Sequence, residues 1–354
     1  MLSVKGKRVF VGLSGGVDSA VTAALLQRAG AAVTGVFIKG AYPEGLPCSW
    51  AEDRRDALQV AARLGIPFLT FDASAAYQKA VIDYLIHEYA AGNTPNPDVM
   101  CNRDVKFGAF YDFAMAHGAD FIATGHYAQI RSEGHTAAEQ HVPSLLRGTD
   151  TSKDQSYFLW AIRKETLSRI LFPLGGMEKS AVRALAKKFN LPNATKRDSQ
   201  GVCFLGNVSI EQFLAQEVGL APGPIVNASG VVLGEHHGAM AYTLGERVSL
   251  PDGPWYVLAK GLRTNTLTVA HTIDTTDAIP AVLTLRECNW LVTPEEGKSY
   301  DAQYRYHGTR IRGTFDAALH QFTPDEPLTM PIASGQSLVL YDGEQLIGGG
   351  IITA

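Results

Sequence analysis

Residues 8–19 read RVFVGLSGGVDS, an apolar run that ends in a turn rich in serine and glycine. The first six of these residues predict a buried β-strand, and the apolar periodicity over residues 17–29 predicts a helix. A glycine-rich turn between a buried strand and a helix is typical of the first βα unit of a parallel sheet. This segment therefore indicates the fold class of the N-terminal part of the chain.

The same alternation continues to about residue 130. Repeated βα units with buried strands predict a parallel, doubly wound sheet, in which ligands bind at the carboxyl ends of the strands. Residues 12–19 and 125–126 both occupy such ends. The further strands are expected at 32–38, 67–71 and 120–124, and the further helices at 49–64, 76–91 and 104–117.

The pattern changes towards the C-terminus. Residues 223–271 are rich in Gly and Pro with short β-like runs, and Asp342-Gly343 between two apolar runs predicts a hairpin. The predicted architecture is an α/β N-terminal doubly wound parallel sheet of Rossmann-like type, a small central β-containing domain and a C-terminal β-barrel. The boundaries expected for these three domains are 1–205, 206–275 and 276–354.

Composition limits the possible functions. The 354 residues carry a net charge of −4, with 46% hydrophobic and 19% charged residues, so the chain is not a generally basic nucleic-acid binder. Any RNA contact must come from local Lys/Arg patches. No apolar stretch is long enough for a secretory signal or a membrane span, so a cytoplasmic monomer is expected. The four cysteines show neither CxxC nor zinc-ligand spacing, and we predict no metal site formed by them.

The turn at residues 14–19, SGGVDS, contains the first chemical signal. Backbone N–H groups and serine hydroxyls at a helix N-terminus bind anions, and paired glycines allow a phosphate to approach the backbone closely. A tight turn without a ligand is the competing interpretation, but serines at both ends and Asp18 in the first helical turn favour an anion site. The loop lacks the G-x-x-x-x-G-K-[ST] pattern of γ-phosphate-cleaving ATPases.

Two separate segments contain a cysteine in a polar setting. Residues 94–103 read TPNPDVMCNR, in which Asn96 and Asp98 can hydrogen-bond a base edge. Cys101 is expected just before the helix at 104–117, where a helix N-terminus and nearby cations favour a thiolate.

The second segment, residues 196–206, reads KRDSQGVCFLG and contains Cys203. Each cysteine taken alone could be a packed thiol, which is the interpretation preferred for Cys48 and Cys288. Together, two thiols in polar loops downstream of an anion-binding loop fit a pair in which one sulfur accepts a persulfide and the other resolves it.

Seven motifs carry a resemblance that runs along essentially the whole chain. SGGVDS resembles the PP-loop of ATP pyrophosphatases, which cleave ATP between the α and β phosphates. The complete set, in this order, is similar to the bacterial and organellar tRNA-specific 2-thiouridylase family. The motifs are SGGVDS, TPNPDVMCN, ATGHYA, LLRGTDTSKDQSYFL, KRDSQGVCFLG, TLGER and SGQSLVLYDGEQLIGGGII.

The resemblance implies roles for individual residues. Cys203 would carry the persulfide, Cys101 would be the nucleophile paired with it, and Asp98 would be a candidate acid or base. Asn96, Pro97 and Asp98 would contact the target base. ATP would bind Gly12, Leu13, Ser14, Gly15, Gly16, Val17, Asp18 and Ser19, with Ile38 (often Met in the family) and Gly125 beside it. Contacts to tRNA would come from His126, Lys153, Asp154, Gln155, Arg305, Tyr306 and Gln336.

The family resemblance also implies the reaction and its partners. With ATP and Mg²⁺, the enzyme would adenylate the C2 carbonyl oxygen of the wobble uridine in tRNAs for lysine, glutamate and glutamine and then replace that oxygen with sulfur. A cysteine desulfurase or a sulfur-relay protein would supply the sulfur. Two alternatives are a PP-loop amide-forming synthetase acting on a small molecule and a tRNA-binding protein that has lost catalysis. The paired cysteine loops would have no role in an amide-forming synthetase. The intact SGGVDS loop and both cysteines argue against a tRNA-binding protein without catalysis.

Overall fold

The computed structural model describes residues 3–42, 50–131, 143–198, 208–273 and 279–353. In chain order the strands are β1 (Arg8–Gly12), β2 (Ala32–Lys39), β3 (Phe68–Asp72), β4 (Phe121–Ala123), β5 (Ala128–Arg131), β6 (Ser144–Arg147), β7 (Ile170–Leu171), β8 (Gly223–Asn227), β9 (Val232–His236), β10 (Arg247–Val248), β11 (Trp255–Gly261), β12 (Thr266–Ala270), β13 (Leu283–Trp290), β14 (Ser299–Gln303), β15 (Arg310–Asp316), β16 (Gln321–Pro324), β17 (Ser337–Asp342) and β18 (Gln345–Thr353).

The α-helices are α1 (Val17–Arg28), α2 (Trp50–Leu64), α3 (Ser74–Tyr77), α4 (Tyr84–Ala90), α5 (Pro97–Met100), α6 (Phe110–Ala116), α7 (Lys179–Lys188) and α8 (Ile210–Glu217). Two π-helical segments, Gln78–Asp83 and Cys101–Ala109, join α3 to α4 and α5 to α6, and 3₁₀ turns occupy Ser156–Leu159, Lys164–Arg169 and Ala239–Ala241. No helix among the described residues is long and apolar enough to cross a membrane.

The N-terminal sheet is parallel throughout, with the order β3-β2-β1-β4-β7. Because β2 and β3 extend from one side of β1 and β4 lies on the other, the direction of winding reverses between β1 and β4. Ligands bind in the crevice at such a switch point. The loop after β1 and Gly125 after β4 both lie there, which confirms the predicted doubly wound fold.

The central sheet has five strands in the order β10-β11-β12-β8-β9. Its pairings are antiparallel except for the parallel pair of β12 with β8. A small apolar core that includes Val257, Leu267 and Val269 lies beneath it. The predicted β-containing central domain is therefore present.

The C-terminal strands form a closed antiparallel barrel, because β13 pairs with both β16 and β18. The predicted hairpin joins β17 to β18, with Asp342 opposite Gln345. The β5–β6 hairpin, which comes from the N-terminal part of the chain, adds to the edge of β18 through the pair Gln345 and Leu146. The predicted boundaries near residues 205 and 275 lie outside the described residues and stay predictions.

One short segment joins the barrel to the parallel sheet. The Trp160 carbonyl accepts a hydrogen bond of 2.7 Å from Asn289 Nδ2 on β13, and the Tyr157 hydroxyl donates to the Ser337 carbonyl at 3.0 Å. Trp160, Tyr157 and Tyr341 belong to one apolar core that includes residues of both the sheet and the barrel. The two parts therefore pack as one body along this seam.

The expected start of the helix at residue 104 is wrong. Continuous helical structure begins at Pro97, in α5, and reaches Ala116. Proline suits the first helical position, since its missing N–H would be unpaired there, and Asn96 before it lies outside the helical region with φ −113° and ψ 86°. Cys101 is therefore one turn inside helical structure instead of in the loop before it.

Candidate functional site

The loop after β1 has the geometry of an anion cradle. Gly15 has φ +78°, and a Cβ there would lie 2.6 Å from the Asp53 carbonyl oxygen. Gly16 is the extended N-cap residue of α1, and no side-chain hydrogen bond caps the helix there. The Ser14 and Ser19 hydroxyls lie 3.2 Å apart. The first turn of a 12-residue helix therefore presents its N-terminus beside two hydroxyls.

Two further predicted nucleotide residues lie against this loop. A Cβ on Gly125 would lie 2.8 Å from the Ser19 backbone nitrogen, so only glycine fits that close approach. A Cβ on Gly12 would lie 3.6 Å from Ile38 Cδ1. Leu13 and Val17 are instead buried in the core beneath the loop, where they support it. The structure thus brings the predicted nucleotide residues together at one strand end.

Ion pairs surround the first turn of α1. Lys179 Nζ bonds both Asp18 carboxylate oxygens, at 2.7 and 2.8 Å, and also Asp198 Oδ1 at 2.9 Å. The Tyr127 hydroxyl donates to Asp18 at 3.0 Å. Burial and the Asp18 charge raise the pKa of Tyr127, so it remains a hydroxyl donor. Asp18 is therefore held in place by a cation and a phenol.

Asp198 forms ion pairs with three cationic residues from different parts of the chain. Lys153 Nζ lies 3.1 Å from Asp198 Oδ2, and Arg183 bonds Oδ1, the same oxygen that receives Lys179. Burial opposes ionisation of Asp198, but the hydrogen bonds from Lys179 and Lys153 outweigh it and lower the pKa to about 2. Lys153, predicted to contact tRNA, thus pairs with the same carboxylate that Lys179 connects to the nucleotide loop.

A second pair of contacts joins this part of the chain to the other side of the loop. Lys196 Nζ lies 2.9 Å from Asp53 and 2.7 Å from Asp56 in α2, directly under Gly15. Asn193 Nδ2 donates to the Gly15 carbonyl at 2.9 Å. The segment leading to Cys203 is therefore attached to the nucleotide loop at several points.

The TPNPD segment rests on the barrel. Gln336 Nε2 donates to the Thr94 carbonyl at 2.8 Å, and the Thr94 backbone N–H donates to the Ser334 carbonyl at 2.7 Å. The Asn96 side chain lies beside the Tyr157 hydroxyl. The barrel thus places the predicted base-contacting residues Asn96, Pro97 and Asp98, and Gln336 acts on them through the backbone of Thr94.

Asp98 lies in surroundings that disfavour its charge. Burial raises the pKa of this carboxyl, and the nearby Lys106 offsets the effect only in part. A raised pKa increases the protonated fraction near neutral pH, as a general acid requires. The geometry is thus compatible with the predicted acid or base role, which stays a prediction.

Cys101 is 6% exposed and packs in an apolar cluster. Arg103, expected to favour its thiolate, instead pairs with Asp104 at 3.0 Å and with Glu287 at 3.4 Å. The cluster also includes Phe213 and Leu214 of α8, and Ile38 packs against it. Cys203 lies outside the described residues, as does Cys48, so the distance between the two predicted reactive thiols is not defined.

The chain on either side of Cys203 is nevertheless described. Asp198, at one end, bonds Lys179 beside the nucleotide loop. At the other end, Val208 packs against the Cys101 cluster, which includes residues of α8. The described residues on the two sides of Cys203 therefore lie beside the nucleotide loop and beside the cluster that contains Cys101.

The remaining residues predicted to contact tRNA differ in accessibility. His126 is 8% exposed, bonds Thr124 at 2.7 Å, and has its pKa lowered by burial and by Lys106, so it is neutral. Arg305 Nη2 donates to the carbonyls of Leu244 and Pro331. Tyr306 is 38% exposed, with its ring centroid 4.4 Å from that of Phe158.

Each residue of the segment 153–155 contacts a different neighbour. Lys153 bonds Asp198, Asp154 lies 3.5 Å from Arg147, and Gln155 accepts a hydrogen bond from the Tyr127 backbone N–H at 3.1 Å. Direct tRNA contacts by these residues stay predictions.

Sequence reasoning missed Lys179, Arg183 and Asn193, which complete the surroundings of the loop. One signal was available for Lys179. It occupies the first turn of α7, where the helix dipole disfavours a cation, so a local anion was to be expected. Asn193 has no comparable signal, because its contact with Gly15 joins residues 178 positions apart.

Three family models match successive parts of the chain. They are described as the tRNA methyl transferase HUP domain (residues 7–207), the tRNA methyl transferase PRC-barrel domain (211–271) and the aminomethyltransferase beta-barrel domain (281–352). These descriptions mention methyl transfer, but the relatives with similar sequences are named tRNA-specific 2-thiouridylases.

The tRNA-specific 2-thiouridylase MnmA of Enterococcus faecalis is 40% identical over 98% of this chain and 95% of that protein. The protein of the same name from Thiobacillus denitrificans is 42% identical over 98% of this chain and 99% of its own length. A solved U34-tRNA thiolase, NcsA from Methanococcus maripaludis, shares 16% identity at a TM-score of 0.37 over 61% of this chain and 68% of its own. The chain therefore belongs to the tRNA-specific 2-thiouridylase family.

Proposed function

We propose that this protein activates a tRNA uridine with ATP and thiolates it through a cysteine persulfide. The observation that supports the proposal is the position of the described residues on either side of the Cys203 segment. One flank is bonded to the nucleotide loop through Asp198, and the other packs on the cluster that contains Cys101. An enzyme that adenylates a base and then delivers sulfur needs its nucleotide site and both thiols beside one reacting atom.

In the first step, O2 of the uridine attacks the α-phosphorus of ATP, an O–P bond forms, and pyrophosphate leaves. The uncapped N-terminus of α1 would stabilise the negative charge that develops on the phosphates. Asn96 and Asp98 would hold the base, which must leave the anticodon stack to reach them.

Magnesium would neutralise phosphate charge during this step. No cluster of three or more His, Cys, Asp or Glu residues that could hold a metal occurs in the part of the chain that the structure describes. Mg²⁺ at nucleotide sites needs only one or two carboxylates in addition to phosphate oxygens. Asp18 fits that requirement, although Lys179 and Tyr127 already share it.

In the second step, the terminal sulfur of a Cys203 persulfide attacks C2, and AMP leaves with the former uridine oxygen. Cys101 then attacks Cys203 Sγ, which releases the sulfur to the base and leaves a Cys101–Cys203 disulfide. A dithiol reductant must restore both thiols after each turnover. Release of sulfide by Cys101, followed by attack of that sulfide on C2, gives the same products.

The partners are those that the family resemblance implies. The substrates would be the wobble uridines of tRNAs for lysine, glutamate and glutamine in the cytoplasm. A cysteine desulfurase or a sulfur-relay protein would charge Cys203, and a monomer would suffice for the reaction.

The test is thiolation in vitro of unmodified glutamate tRNA with ATP, Mg²⁺, a cysteine desulfurase, cysteine and a dithiol. We expect 2-thiouridine, AMP and pyrophosphate in equal amounts. Cys101→Ala and Cys203→Ala should each abolish the thionucleoside but leave tRNA-dependent release of pyrophosphate. Cys203→Ala should also remove ³⁵S bound to the protein.

Cys288→Ala is the matched control, because Cys288 is a half-buried thiol in the barrel. This variant should thiolate normally. If both Cys101→Ala and Cys203→Ala still thiolate, the persulfide route is wrong. ATP–pyrophosphate exchange without tRNA would indicate an amide-forming synthetase instead.

A further inference from the structure

Helix α4 ends in a turn that leads directly into the TPNPD segment. The backbone N–H of Gly92 donates to the Tyr89 carbonyl at 2.9 Å, and that of Asn93 donates to the Glu88 carbonyl at 2.9 Å. Gly92 has φ +83°, so the pattern is that of a Schellman motif. The side chains at the two ends of this motif usually meet through an apolar contact. Here they are a carboxylate, Glu88, and an amide, Asn93.

Glu88 places a buried carboxylate between Asn93 and the barrel. It is 5% exposed, and its Oε2 accepts a hydrogen bond of 2.8 Å from Asn93 Nδ2. Arg286 Nη2, on β13, donates to both Glu88 carboxylate oxygens at 2.7 Å. Burial of a carboxylate is costly unless it is paired and hydrogen-bonded, and these contacts provide that pairing. The polar pair at the end of α4 is therefore fixed to the barrel.

Asn93 and the residue after it also contact two other parts of the molecule. The loop before β17 closes on Asn93, since a Cβ on Gly335 would lie 2.9 Å from the Asn93 Cβ. Thr94 bonds the barrel through its backbone, and its hydroxyl lies 3.4 Å from that of Thr243, beside the central sheet. Asn93 and Thr94 thus lie where α4, the barrel and the central part of the chain meet, just before Asn96.

The Glu88–Asn93 contact does more than end a helix. The backbone hydrogen bonds of a Schellman motif end α4 whatever side chain follows Gly92. An apolar pair would make the usual contact without burying a charge, and apolar replacement of a buried ion pair is often neutral or stabilising. A hydrogen bond differs from an apolar contact because it restricts direction as well as distance. The polar pair therefore fixes the direction in which the chain leaves α4.

We propose that Glu88 and Asn93 are positioning residues for the target base, with Arg286 holding Glu88 in place. The amide–carboxylate bond determines where Asn93 lies. Two prolines limit the freedom of the chain that follows, so this placement is passed on to Asn96 and Asp98. The inference rests on the proposed function and adds to it the groups that orient the base-contacting segment from behind.

The first test is Asn93→Ala, which removes the amide but leaves the Glu88–Arg286 ion pair in place. Single-turnover release of pyrophosphate with saturating tRNA should slow by up to about 100-fold, because a small misplacement of a reacting group has a cost of that order. kcat and kcat/KM for tRNA should fall together with KM unchanged, since the orientation of the base matters in the transition state. KM for ATP should also stay unchanged. A rate equal to that of wild type would overturn the proposal.

Gln78→Ala is the matched control. Gln78 Nε2 donates to Asp83 Oδ1 at 2.8 Å, which is also an amide–carboxylate pair between residues five positions apart, but this pair is exposed and lies before α4. Gln78→Ala should release pyrophosphate at the wild-type rate. Urea unfolding of Asn93→Ala separates positioning from stability. A merely structural contact would lower the free energy of unfolding while the rate per folded molecule stayed at the wild-type value, and that result would refute the proposal.

Reversal of the pair provides a second test. Asn93→Asp places two carboxylates against each other and should slow pyrophosphate release at least as much as Asn93→Ala. Glu88→Gln combined with Asn93→Asp restores an amide–carboxylate bond in the opposite direction and keeps one negative charge beside Arg286. This double variant should recover most of the lost rate. A double variant slower than Asn93→Asp alone would contradict the positioning role.

The wild-type protein separates this inference from the proposed function. If wild type thiolates tRNA and Asn93→Ala reacts equally fast, only the positioning role is refuted. If wild type with tRNA and ATP forms neither pyrophosphate nor the thionucleoside, the proposed function fails and the positioning role fails with it.

Discussion

The nucleotide loop and the Cys101 region are stabilised in opposite ways. Around the loop, charged groups from α1, α7 and the segment before Cys203 pair with one another, with Lys179 shared between Asp18 and Asp198. Around Cys101 the neighbours are apolar, and the thiol is packed like a core residue. The loop is therefore prepared for an anion in this structure, whereas Cys101 must become accessible before it can react.

This difference separates the two halves of the reaction physically. In the proposed reaction, ATP would bind backbone groups at the N-terminus of α1 that are already in place and would need little rearrangement. Sulfur transfer would require contact between Cys101 and a second thiol, so part of the α8 packing would have to yield. Changes to the loop should therefore abolish adenylation, and changes to the connection between the two regions should slow the sulfur step more than adenylation.

The largest effect is expected from Gly15→Ala. A Cβ at Gly15 meets the Asp53 carbonyl at 2.6 Å, so the loop must move, and we expect tRNA-dependent AMP formation to fall by about 100-fold or more. Gly6→Ala is the matched control, because Gly6 has nearly the same φ, +75°, with nothing within 4 Å. Gly6→Ala should cost only the left-handed strain of about 1–2 kcal/mol in unfolding free energy. Equal loss of activity in both variants would show that strain, not the cradle, is responsible.

An intermediate effect is expected from Asp198→Asn, which tests the connection between the regions. Without this carboxylate, Lys153, Lys179 and Arg183 lose a common partner. The rate of thiolation should fall about tenfold, because loss of one charge-assisted hydrogen bond costs about 1.5 kcal/mol. The rate of pyrophosphate release should fall less. Single-turnover assays measure both steps. Asp112→Asn, which breaks an exposed pair with Arg163, is the control and should be silent.

The same aspartate gives a pH prediction. Its folded pKa of about 2 lies below the unfolded value, so its contribution to stability is present above about pH 4 and is lost as the pH falls towards 2. After allowance for solvent screening, this contribution is about 1 kcal/mol. Urea unfolding of wild type and Asp198→Asn between pH 3 and 7 measures it, and a difference that grows on acidification would contradict the sign.

The smallest effect concerns Asp98, whose pKa is raised by burial. The proton-bound form is favoured in the folded state, so stability declines as the pH rises through the folded pKa. Asp98→Asn should therefore raise the melting temperature by a few degrees at pH 7.5, with no difference below about pH 4, while thiolation falls. Asp72→Asn should act in the opposite direction, because hydrogen bonds from Ser74 lower the pKa of Asp72 to about 2.

The SGGVDS loop could be located from the sequence because its signal is local. A buried strand, two glycines and a helix occur within 21 residues, and backbone propensity determines their form. The Cys101 segment was harder to interpret. The sequence predicts that Cys101 precedes the helix at 104–117, but Pro97 starts a helix that places Cys101 in the core. Whether a proline ends an extended segment or begins a helix depends on the packing of the residues that follow it.

By itself the sequence determined the parallel sheet, the central β unit, the barrel and the family, since these depend on periodicity, turns and ordered motifs. Only the tertiary structure decided which partners the charged residues take. Lys179 meets Asp18 across 161 positions, and Arg147 meets Gln303 across 156. Such pairs have no periodicity that a linear pattern could reveal, because the distance between them is set by how the sheet, the α7 helix and the barrel pack.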